Sequence, residues 1–229
     1  MADRTNGQAQ SDNNTQVPSD AATAGLGTTL LRVAWLAVVL GFVMEGVLLL
    51  LGVGLGNVFG LGPTVAGFVK NVSWSVFVCV GLAVGTAVTK ARVPAMGLSG
   101  LLAAPLAFEA SRALHKGTLE ALAVTGGGGD GVSPVLIVVV KGLEYAVLGM
   151  AIGWVGKRPW GGAAAHAGVG LAVGLAFGGT ILALTMGASP QPPPADLVTQ
   201  GVNEIVFPVG CSLVLFSAGA LGKRMGDRR

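Results

Sequence analysis

Seven ionisable residues interrupt stretches otherwise built of Leu, Val, Ala and Gly: Glu45, Lys70, Glu109, Arg112, Lys141, Glu144 and Glu204. A charge in such surroundings is costly, so each needs a partner or a purpose, and the chemistry on offer is ion binding, solute selection or structural ion pairing. Lys70 and Ser73, Glu109 and Arg112, Lys141 and Glu144, and Gln200 and Asn203 are each three residues apart. That spacing puts both members of a pair on one helix face. At 1.5 Å per residue, Glu45 lies about 22 Å from the start of its apolar stretch and Lys70 about 10 Å into the next one. The same count brings Glu109, Lys141, Glu144 and Glu204 to similar depths, so a single polar layer in the outer half of a bilayer is expected.

The first expected ion pair is Glu45 with Lys70, across a short glycine-rich turn; Glu144 with Lys141 and Glu109 with Arg112 are local candidates, with partners across the bundle equally open to them. Glu204 has no base in its own hairpin. It is expected to be protonated, to bind a cation, or to borrow Arg112 or Lys116.

Other chemistries find little support. Cys79 and Cys211 lie within apolar stretches, and His115 and His166 stand apart from any acid or thiol cluster, so no metal and no disulfide framework is expected. Ser111, His115 and Glu109 sit too close on one helix to form the bent geometry of a nucleophile and its base, and no enzyme is expected. The run Gly126–Gly129 lacks the Lys-Ser/Thr end of a phosphate loop. No cofactor is expected, nor a nucleic-acid partner, because the basic residues punctuate apolar spans instead of clustering on a soluble face.

The elements that must position these residues are membrane helices. Charged residues make up 11% of 229 positions, against roughly 25% in a soluble domain. Six apolar runs, at about 30–54, 64–89, 94–114, 133–156, 162–187 and 197–222, are each long enough to cross about 30 Å of hydrocarbon. They form the domain 27–229. Residues 1–26 are polar and are expected as a disordered tail, without the features of a secretory signal. Residues 118–124 are expected as a short interfacial helix before a flexible glycine link, and 188–196 as a stiff proline-rich connector.

Basic residues follow every second span: Lys90 and Arg92, Lys157 and Arg158, then Lys223, Arg224, Arg228 and Arg229. The positive-inside rule puts both termini in the cytoplasm, for a protein integral to a plasma or inner membrane. The stops Lys90, Lys157 and Lys223 are 67 and 66 residues apart, and short stretches align around Glu45, Glu109 and Gly178, and around Lys70, Lys141 and Gln200. The expected architecture is therefore an all-α bundle of three sequential helical hairpins in a pseudo-threefold repeat. The 38 glycines, in runs such as Gly81-x3-Gly85, Gly149-x3-Gly153 and Gly170-x3-Gly174, are close-packing signals. Pro105 and Pro208 are expected to kink their helices beside Glu109 and Glu204. Trp35, Trp74, Trp154 and Trp160 are expected mostly toward span ends.

Two functional expectations follow. One is a channel or transporter for an ion or small charged solute, with the layer of Glu45, Lys70, Glu109, Arg112, Lys141, Glu144, Gln200, Asn203 and Glu204 as its site. The other is a non-catalytic subunit anchoring or stabilising a larger membrane complex. The lipid bilayer is the expected partner, together with a homo-oligomer or larger membrane assembly.

Overall fold

The computed structural model describes residues 17–88, 90–124, 132–188 and 193–226, with side-chain detail between residues 25 and 222. The described residues form six helices and no strand: α1 (Val17–Gly54), α2 (Leu61–Gly85), α3 (Arg92–Ala121), α4 (Pro134–Val155), α5 (Ala163–Ala188) and α6 (Pro194–Gly226). Each holds an apolar stretch of 22 to 30 residues, beyond the about 20 needed to cross a bilayer. Large apolar side chains such as Leu50, Leu61, Leu106 and Val135 face outward. That surface suits lipid and would be untenable in water. The chain is an all-helical membrane protein.

Consecutive helices pack against one another from α1 through α6, and α1 closes the circle on α6. Across the circle α6 also meets α2 and α4. With apolar side chains all round, no amphipathic stripe selects these contacts; backbone approach at glycine does. A Cβ on Gly41 would stand 2.5 Å from the Val72 Cα, one on Gly85 2.6 Å from the Met96 Cα, and one on Gly170 2.5 Å from the Val209 Cα. Gly100 of α3 lies against the Tyr145 carbonyl group of α4, where an added Cβ would come within 2.6 Å of the carbonyl carbon. Four interfaces thus have room for hydrogen and for nothing larger.

The core brings together Val78, Leu82, Tyr145, Leu148, Phe207 and Cys211, all buried. Trp74 packs edge-on against Tyr145 at 5.7 Å and against Phe207 at 6.3 Å between ring centroids. Trp74 is thereby corrected from a span-end residue to a central one, since α2 turns it inward against α4 and α6. Trp154 and Trp160 pair at 5.6 Å, with the Arg158 guanidinium 4.6 Å from the Trp154 ring, next to the α4–α5 turn.

Element ends depart from the sequence expectation in three places. Helix α1 begins at Val17, so the second part of the expected tail is helical; residues 1–16 lie outside the described residues. Extending an existing helix adds a hydrogen bond for each residue fixed, and Ala21, Ala22 and Ala24 favour it. Helix α3 runs without a break to Ala121 where a separate interfacial helix over 118–124 was expected. Residues 113–121 are mostly good helix formers, and an exposed Lys116–Glu120 pair at 3.8 Å spans its last turns. Helix α6 begins at Pro194, inside the expected connector, with Pro at its first position and Asp196 in its first turn. The glycine link at 125–131 and connector residues 189–192 lie outside the described residues.

Candidate functional site

Lys141 is the eighth residue of α4, Lys70 the tenth of α2 and Glu204 the eleventh of α6. At 1.5 Å per residue all three sit about 10 to 15 Å from the starts of their helices. The even helices share a direction, so the polar layer is set by equal counts from their first residues. Arg112 reaches the same end of the bundle from α3, nine residues before its last.

The Lys141 ammonium is buried and donates to Glu144 Oε2 at 2.9 Å; it also contacts Glu204 Oε2 across the α4–α6 interface. Its Nζ lies 5.7 Å from the Trp74 ring centroid and 5.9 Å from that of Tyr145. An ammonium among ring faces and two carboxylates has its donors aimed at anionic oxygen or π density, which offsets its desolvation. Glu144 is completely buried and its Oε1 has no hydrogen-bond partner, as is true of Asn203 Oδ1. Glu204 is thus corrected from an acid without a base: its base, Lys141, comes from α4, because α4 and α6 meet at this depth.

Glu45 takes a different partner from the expected one. It is buried and accepts a hydrogen bond from the Asn71 Nδ2 amide, while no Glu45–Lys70 ion pair occurs among the described residues. One residue further along α2 is a rotation of about 100°, and that turns Asn71 toward α1 and leaves Lys70 exposed. The His115 Nδ1 lies 3.0 Å from the carbonyl oxygen of Ala66, on the same helix as Asn71. Gly67, one turn before Asn71, makes the room: a Cβ there would lie 2.9 Å from the Glu45 carboxylate carbon.

The expected Glu109–Arg112 pair is likewise not formed among the described residues. Both are exposed, and the Arg112 guanidinium carbon instead lies 5.3 Å from the Phe108 ring centroid. Gln200 turns away from the layer and donates to the Thr185 hydroxyl at 3.1 Å.

These side chains enclose a cavity of about 110 Å³ between α2, α3, α4 and α6. Lys70, Arg112 and Lys141 line it together with Asn203 and the single carboxylate Glu204. Trp74, Phe108 and Phe207 supply its apolar wall. The counter-charges Glu144 and Glu45 are not on the lining. The structure therefore gathers Lys70, Arg112, Lys141, Asn203 and Glu204 around one space, places Glu45 and Glu144 behind it, and excludes Glu109 and Gln200 from it.

Two features escaped the sequence reading. Asn71 was passed over because an uncharged amide raises no alarm in an apolar run. The buried thiols of Cys79 and Cys211 lie 3.3 Å apart, joining α2 to α6. A signal for that pair existed: Cys79 follows Asn71 by eight residues and Cys211 follows Glu204 by seven, so both continue the inward face of the polar stripe. Comparison with protein-family models, with curated proteins and with solved structures finds no match to this chain.

Proposed function

We propose that the chain is a channel or transporter for an ion or small charged solute, with the cavity between α2, α3, α4 and α6 as its binding layer. The observation that carries this reading is the lining itself. Lys70 and Arg112 face a cavity with no carboxylate within ion-pair distance among the described residues, while two carboxylates share Lys141. Ion pairs that served only to register helices would match charges one to one; here the cations left over are those at the cavity.

In this reading both termini are cytoplasmic, because the basic stops Lys90, after α2, and Lys157, after α4, lie at the opposite end of their hairpins from the cavity, and Lys223 and Arg224 close α6 in the sequence. The cavity then opens toward the external side of a plasma or inner membrane.

A second reading is a non-catalytic subunit of a larger membrane complex. Its support is the packing beneath the cavity, where Trp74, Tyr145, Phe207, Leu82 and Leu148 leave an apolar layer. Reconstitution into liposomes separates the two. Saturable solute or ion flux that changes in Glu204→Gln, while the variant retains the native elution volume, supports transport; flux no greater than in protein-free liposomes counts against it. A stoichiometric foreign partner on extraction from the native membrane in mild detergent supports the subunit.

A further inference from the structure

The lining of the cavity also says which sign of solute it takes. We propose that the cavity binds a small oxyanion, a carboxylate or a phosphate, through Arg112 and Lys70; this rests on the reading of the cavity as the binding layer.

Three cations and one carboxylate face the space, and that carboxylate, Glu204, is already held by Lys141. The other acids of the layer are off the lining: Glu144 is fully buried and bonded to Lys141, Glu45 is hydrogen-bonded to the amide of Asn71, and Glu109 is turned outward. A cation entering would meet Lys70, Arg112 and Lys141 with no free carboxylate on the described lining to receive it. An anion would meet two cations, Lys70 and Arg112, without ion-pair partners among the described residues.

The donor set points from anion to oxyanion. A guanidinium presents a planar fork that matches two oxygens of a carboxylate or phosphate, and an ammonium adds a point charge beside it. Arg112 is held over the Phe108 ring, which also lines the cavity, so the guanidinium is oriented before a ligand arrives. The Asn203 amide, with Oδ1 unpartnered, adds one hydrogen bond to a ligand hydroxyl, or to the oxyanion itself with the amide turned over. The space is small, about 110 Å³, which suits acetate, inorganic phosphate or the phosphate of a lipid headgroup.

Because Lys70 and Arg112 are exposed at the rim, the oxyanion has two sources, a free solute or an anionic lipid. The test uses the full chain purified in an uncharged detergent. One arm titrates acetate and inorganic phosphate by calorimetry at constant ionic strength. The other passes the protein through vesicles of phosphatidylcholine with and without phosphatidylglycerol, re-extracts it and measures bound lipid phosphorus.

Saturable binding of acetate or phosphate, weakened tenfold or more in Arg112→Gln and in Lys70→Gln but unchanged in Lys116→Gln, supports a free solute. Retained phosphatidylglycerol lost in the same two variants supports a lipid headgroup. No saturable binding in either arm, or binding indifferent to both variants, overturns the proposal. Anion binding without liposome flux would leave the site standing and remove transport. Flux of cations alone, unaffected by Arg112→Gln, would do the reverse.

Discussion

Lys141 of α4 and Glu204 of α6, 63 residues apart in the chain, are in ionic contact inside the bundle, and the same ammonium is bonded to Glu144. One cation thereby ties together two carboxylates on two helices. Removing it strands both acids in an apolar interior, whereas removing one acid leaves a matched pair. The three residues are therefore unequal in what their loss costs.

Lys141→Met is expected to destabilise the protein by about 3 to 5 kcal/mol, the range for breaking a buried pair and leaving a charge uncompensated. Glu204→Gln should cost less. Thermal unfolding in detergent of the two single variants and of Lys141→Met/Glu204→Gln gives the coupling directly. Losses that simply add would contradict contact between the two residues.

For Glu45 the structure assigns an amide partner, so Asn71→Ala should lower stability by about 1.5 to 3 kcal/mol, typical of a hydrogen bond to a charged group. Lys70→Ala should lower it less. A larger loss for Lys70→Ala than for Asn71→Ala, in the same melting assay, would restore the direct Glu45–Lys70 pair.

Gly100→Ala should force α3 off the Tyr145 backbone, with a cost of about 1 to 3 kcal/mol for overpacking and a lower yield of folded protein. Gly46→Ala is the control, since nothing lies within 4 Å of the added carbon. Equal behaviour of the two variants in a melting series would contradict the α3–α4 approach.

Cys79 and Cys211, with Sγ atoms 3.3 Å apart, should cross-link under copper phenanthroline. With a protease site inserted in the run Gly126–Gly129, the cleaved halves should migrate together on a non-reducing gel and separate after reduction. Cys211→Ser halves should separate under both conditions. Halves of the parent chain that part without reduction would show that α2 and α6 do not meet here.

How much of this was legible in the sequence varies by residue. The six spans could be read directly, because crossing a bilayer depends on the apolarity of a local window and on helix rise. The i,i+3 pairing of Lys141 with Glu144 was readable for the same reason: both ends belong to one helix. The convergence of Lys70, Lys141 and Glu204 at one depth followed from counting along helices that share a direction.

Partners between helices were another matter. Lys70 and Asn71 are adjacent, and the choice between them as the partner of Glu45 depends on the rotation of α2 about its axis. Glu204 looked orphaned because its base lies on α4, and Cys79 looked solitary because its neighbour is 132 residues away. Glu109, which spacing placed in the layer, is turned outward by the same rotation of α3 that buries Ser111. By itself the sequence determined which segments are helices and at what depth their polar groups lie, since both are set along a single helix axis. The tertiary structure alone decided which polar groups meet and which face the cavity. Those outcomes depend on the relative rotation and approach of helices, governed by glycine contacts such as Gly41–Val72 and Gly100–Tyr145 whose two sides are far apart in the chain.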